Sequence, residues 1–78
     1  MPTVLRTGPY RIFFYASDRE EPRHVHVERD DNIAKLWLEP VRIQYSGGFR
    51  AQEINRMIEL VQEHRKLLVE AWDEYFGS

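Results

Sequence analysis

The candidate site that this sequence offers is His24-Val25-His26-Val27-Glu28, a pair of histidines at i and i+2 with a carboxylate two residues on. In an extended strand such a pair projects from one side, with Cα atoms ~6.5–7 Å apart. That spacing suits two chemistries. In the first, the imidazoles form an acid–base pair, because histidine titrates near neutrality. One ring takes the proton of an attacking hydroxyl, the other returns a proton to the leaving oxygen, and a nearby lysine stabilises charge on a phosphoryl group. This is metal-independent RNA cleavage chemistry. In the second, His24 and His26 chelate one metal ion, with a third ligand from Glu28, Glu39 or His64. A third reading needs no chemistry: the charged and aromatic face of an antiparallel sheet is often simply its solvated side.

The elements around the pair follow from the hydrophobic period, which is strand-like up to about residue 48 and helical after it. The pattern predicts strands over about 2–6, 10–16, 24–28 and 33–39, with 41–45 as a fifth, and one long helix over about 50–76. The fold class is therefore α+β, a small antiparallel sheet of four to five strands packed against one C-terminal helix, in a single domain over 1–78. With Arg29 to Asn32 as the loop, the hairpin register puts His24 opposite Trp37, Val25 opposite Leu36, His26 opposite Lys35 and Val27 opposite Ala34. Both strands agree on this register, and a one-residue slip would scramble it. One face, with Val25, Val27, Ala34, Leu36 and Leu38, is core. The other carries His24, His26, Glu28, Lys35 and Trp37, and the strand at Tyr10 to Ala16 can add Arg11, Phe13 and Tyr15. The catalytic candidates are accordingly His24, His26 and Lys35, with Arg11, Tyr15 and Trp37 for substrate. No metal is expected, the alternative being a site of His24, His26 and Glu28.

The helix carries Ile54, Met57, Ile58, Val61, Leu68, Trp72, Tyr75 and Phe76 on one stripe, which reads as core. Its last turns crowd three aromatic residues, more than a small sheet needs, and these are expected to reach a partner. His64 falls near the stripe and reads as a partly buried histidine satisfied by a carbonyl. Ser46-Gly47-Gly48 precedes a helix but lacks the glycine-and-lysine pattern of a phosphate loop.

Composition narrows the classes. The chain has 78 residues, 42% hydrophobic and 31% charged, with no cysteine, so neither disulfides nor a thiolate site can stabilise it. A domain this small is marginally stable alone, which favours a homodimer or a hetero-complex. Eleven basic against thirteen acidic residues argue against nucleic-acid binding through a wholly basic surface. No signal peptide and no membrane span are expected, which points to the cytoplasm.

Several strings together resemble a known family: Gly8-Pro9-Tyr10-Arg11-Ile12-Phe13-Phe14-Tyr15, Glu21-Pro22-Arg23-His24-Val25-His26-Val27-Glu28, Ala34-Lys35-Leu36-Trp37-Leu38-Glu39-Pro40-Val41 and Leu68-Val69-Glu70-Ala71-Trp72-Asp73-Glu74-Tyr75-Phe76. The family comprises small bacterial proteins and is a domain of unknown function, number 4160 in that series. The resemblance brings His24 and His26 as hallmark positions, without a catalytic role. It implies a toxin-like component of a two-gene module with a small operon partner. Arg23 stands where a second proline is common in that family. Combined with the histidine pair, the expectation is action on RNA or a nucleotide phosphate, without a cofactor. The rivals are a non-catalytic protein-binding module and a metal-dependent hydrolase using the same pair.

Overall fold

The computed structural model describes residues 3–77, so Pro2, where the first strand was expected to begin, lies outside the described residues. Five strands, β1 (Thr3–Thr7), β2 (Tyr10–Phe13), β3 (His24–Arg29), β4 (Asn32–Leu38) and β5 (Val41–Tyr45), form one antiparallel sheet in the order β1-β2-β3-β4-β5. Each strand pairs with its neighbour in sequence, which short connections between antiparallel strands allow. The β3–β4 register is the expected one, His24 opposite Trp37 through Glu28 opposite Ile33. It gains one pair, Arg29 opposite Asn32, because Asp30 adopts φ 54° and closes the turn within Asp30-Asp31.

The alternation places Val25, Val27, Ala34, Leu36 and Leu38 on one face with no exposed surface, joined by Ile12 from β2. Two helices cover that face, α1 (Ala51–Glu63) and α2 (Arg65–Phe76), through Met57, Val61 and Leu68. Burying each such aliphatic side chain contributes about 1.5–3 kcal/mol, so this layer dominates the stability. The sheet-to-helix connection depends on Gly47 at φ 61°, where a Cβ would sit 1.9 Å from the Ile33 carbonyl oxygen.

The single long helix over 50–76 is a correction. The helix breaks at His64, although no glycine or proline lies nearby. The Leu60 carbonyl there accepts both the His64 backbone N–H at 3.2 Å and the ring Nδ1–H at 3.0 Å. A side chain inserted into the i→i−4 ladder is a known cause of a bend. The carbonyl-satisfied role expected of His64 is thus present, and it carries this further consequence. A straight helix over 50–76 would run ~40 Å. The molecule's longest dimension is 34 Å, shorter than such a helix. Arg65 Nε then donates to the Leu38 carbonyl at 2.8 Å, and Arg23 Nε donates to Asp73 at 2.7 Å.

The expected strand over 10–16 is shorter. β2 stops at Phe13, and Ala16–Glu20 form a 3-10 turn that crosses the far face of the sheet. Its fold is local: Tyr15 N–H donates to the Asp18 carboxylate at 2.7 Å, and Asp18 N–H donates back to the Tyr15 carbonyl at 3.0 Å. The terminal aromatics are largely absorbed within the chain. Phe14 is buried against Trp72, Tyr75 and Phe76, at 5.3–5.5 Å between ring centres, and only Tyr75 keeps about half its surface exposed.

Candidate functional site

The two faces of the sheet end differently. Pairing across strands puts Phe13, His26, Lys35 and Tyr45 in one row of the helix-free face, and His24, Trp37 and Arg42 in the next. The histidines share that face as the alternation predicted. Their surroundings are a correction, because neither ring stands in open solvent. His24 is fully buried and the His26 side chain is 12% exposed. The 3-10 turn meets them through Asp18, and Trp72 of α2 packs on His24 with ring centres 5.1 Å apart.

Asp18 is brought over both rings. Its Oδ2 lies 3.1 Å from His26 Nε2 in a hydrogen bond, and 3.2 Å from His24 Nε2 without hydrogen-bonding geometry. The other His24 nitrogen, Nδ1, is 2.8 Å from the Pro22 carbonyl. A carbonyl only accepts, so Nδ1 carries the hydrogen, and in the neutral ring Nε2 is the nitrogen without one. His24 Nε2 is then a buried ring nitrogen with no hydrogen-bond partner among the described residues, aimed at a carboxylate. His26 stacks on Phe13 at 5.4 Å and meets the edge of Tyr15 at 4.7 Å. Burial pushes the His26 imidazole below its ordinary 6.5, helped by His24 and Lys35 and opposed by Asp18.

The other expected residues divide into two groups. Lys35, Tyr15 and Trp37 border the histidines. Lys35 Nζ donates to Glu21 at 2.5 Å and lies 5.0 Å over the Trp37 ring. Its hydrogen bond holds the Glu21 carboxyl below the usual range. Trp37 meets His24 at 5.7 Å and walls an open hollow of about 400 Å³ with Pro22, Arg23, Glu39, Pro40 and Arg42. Arg11 is instead engaged, donating to Glu28 at 2.8 Å and to Thr3 at 3.0 Å, with its guanidinium 4.2 Å over Phe13.

None of the three carboxylate or imidazole groups expected to complete a metal site joins the pair. Glu28 is held by Arg11, Glu39 by Arg23 and Arg65, and His64 by Leu60. Asp18 takes that place. Among the described residues, Asp18, His24 and His26 are the group whose donor atoms converge, all within 4.8 Å of one another. The sequence pattern missed Asp18 because it stands among the charges of a connection, Ser17-Asp18-Arg19-Glu20-Glu21. The usable signal was the length of that connection, 14–23, far more than a hairpin between adjacent strands requires.

No curated protein and no solved structure matches the chain. A family profile does, over residues 10–73, a span that includes the hairpin, the 3-10 turn and both helices up to Asp73. The chain therefore belongs to the family described as Domain of unknown function (DUF4160).

Proposed function

We propose that the helix-free face binds single-stranded RNA or a nucleotide through its phosphate and base. The observation that carries this reading is the pair Trp37–Arg42 on β4 and β5. Arg42 is exposed, its guanidinium has no partner among the described residues, and it stands directly across from a half-buried indole. Tyr45, 62% exposed, lies opposite Lys35 in the adjoining row. Aromatic rings on a sheet interleaved with cations suit unpaired nucleotides, since bases stack on the rings while phosphates meet the charges. An overall charge of −2 is compatible with this, because the cations needed are local. Lys35 is held by Glu21, so a phosphate reaching it would take that carboxylate's place opposite His26, beside the buried cluster.

The test is binding of a short fluorescent single-stranded RNA at low and moderate salt. Trp37→Ala should weaken binding about 5- to 150-fold, the range of ~1–3 kcal/mol per stacked base. Arg42→Ala should weaken it less and lower the salt slope by about 1, as expected for one phosphate contact. Growth arrest on expression, abolished by the same substitutions, would extend the reading to a toxin-like component of a two-gene module. Absence of RNA binding, or binding indifferent to both substitutions, would favour the protein-binding reading.

A further inference from the structure

We propose that Asp18, His24 and His26 bind one divalent transition-metal ion. The inference goes beyond the RNA reading and stands independently of it. Three observations converge. Two of the three donor pairs sit at metal-polyhedron spacing, and the two imidazole donors lie within 4.8 Å of each other. Asp18 Oδ2 is 3.1 Å from His26 Nε2 and 3.2 Å from His24 Nε2. Ligands at ~2.0–2.2 Å from a shared ion stand about 2.8–3.6 Å apart along the edges of an octahedron or tetrahedron. The second observation is the tautomer. His24 donates Nδ1–H to the Pro22 carbonyl, the outer-shell arrangement that turns a bare Nε2 lone pair toward a metal. The third is the orphan: that Nε2 is buried, has no hydrogen-bond partner among the described residues and faces an acceptor oxygen. Buried polar atoms are nearly always satisfied, and two lone pairs facing each other need a positive charge between them. An ion there would satisfy His24 Nε2 and Asp18 together.

The donor set selects the class of ion. Two imidazoles and one carboxylate suit zinc, manganese, iron, cobalt or nickel, whereas magnesium and calcium prefer all-oxygen sites. Three protein ligands also leave a coordination position free, as in catalytic rather than structural zinc sites. The partly exposed side of the cluster is that of His26, next to Lys35 and the proposed RNA face. A proton shared by Asp18 and the two rings is the rival way to fill the gap.

The full chain, stripped with chelator, is titrated calorimetrically with zinc and separately with manganese, without RNA. The expected result is one equivalent of zinc bound, and cobalt substituted for zinc should give the visible absorption of a nitrogen- and oxygen-ligated site. Asp18→Asn keeps the side chain's size and an oxygen for Tyr15 N–H, so it serves as the variant most able to fold. It and His26→Gln should each weaken binding more than about 100-fold, since even outer-shell changes cost 10- to 100-fold. In wild type, ring-nitrogen NMR should show His24 Nε2 bare in the metal-free state and shifted on adding zinc. No binding to folded wild type, equal affinity in Asp18→Asn and His26→Gln, or a protonated His24 Nε2 indifferent to zinc would each overturn the proposal. The NMR measurement decides the matter even where a variant fails to fold. Loss of RNA binding with metal binding intact would defeat only the functional reading, and the converse only this one.

Discussion

Two polar clusters pin covering segments to the sheet, and they are built differently. On the core side, Glu53 of α1 accepts from the Tyr10 hydroxyl at 2.9 Å and from Arg29 Nη1 at 2.7 Å. A carboxylate facing two donors is complete with the atoms the chain supplies. On the far side, Asp18 of the 3-10 turn faces two imidazoles and a backbone N–H, and His24 Nε2 is left over. The burial also differs: the Glu53 side chain is 24% exposed, whereas Asp18 and His24 are nearly or wholly sealed. A cluster open to water tolerates imperfection, because water supplies missing partners. A sealed one does not. The second cluster therefore points to an additional ligand, while the first is a structural tie.

The largest break in this comparison is removal of the buried ring. His24→Ala deletes packing on Trp72, Trp37 and His26 and leaves the Pro22 carbonyl without its donor. A cost of about 2–4 kcal/mol is expected for metal-free protein, read as a lower urea midpoint with unchanged slope. Glu53→Ala should cost clearly less, because its donors recover water. The bare alternation of β3 treats His24 as a solvated side chain worth no more than ~0.5 kcal/mol. A loss that small would restore that view and remove the contrast.

A milder discrimination comes from ligand linkage. An ion that binds only the folded chain stabilises it by about 2.7 kcal/mol when free metal is 100 times its dissociation constant. Zinc should therefore raise the melting temperature of wild type and of Glu53→Gln by similar amounts, reversibly with chelator. Asp18→Asn should show almost no response. Equal responses in all three would mean that zinc stabilises through some other group.

How far the sequence carried this contrast differs between the two sides. The β3–β4 register was legible because Val25 and Val27 on one strand, and Ala34, Leu36 and Leu38 on the other, each fix the parity. Parity told which residues share the histidine face. It could not tell that the face is covered, because the cover is an irregular turn of charged residues with no period. Asp18 is chosen from those charges by the local bond to Tyr15 N–H, and adjacent acidic residues look identical in the string. The bend at His64 was invisible for a similar reason. The apolar stripe continues through it, and a single ring nitrogen on the Leu60 carbonyl leaves no mark on periodicity.

The finest separation of the clusters is their response to acid. In the metal-free protein, burial holds the His26 imidazole below its ordinary 6.5, so the unfolded chain takes up this proton first. Stability should fall as pH drops through 6.5 and continue falling until the folded ring is protonated too. Glu53 has the opposite kind of group and a lower window. The Tyr10 hydroxyl first, and then Arg29, hold its carboxyl below the ordinary 4.5. Its contribution is complete above 4.5 and is lost as pH falls from there through the lowered value. Urea midpoints measured across this range should therefore decline in two limbs. His26→Gln should flatten the upper limb and leave the lower one, and Glu53→Gln should do the reverse. An upper limb that persists in His26→Gln would mean that another group takes up the proton there, and the two clusters would no longer be separable by acid.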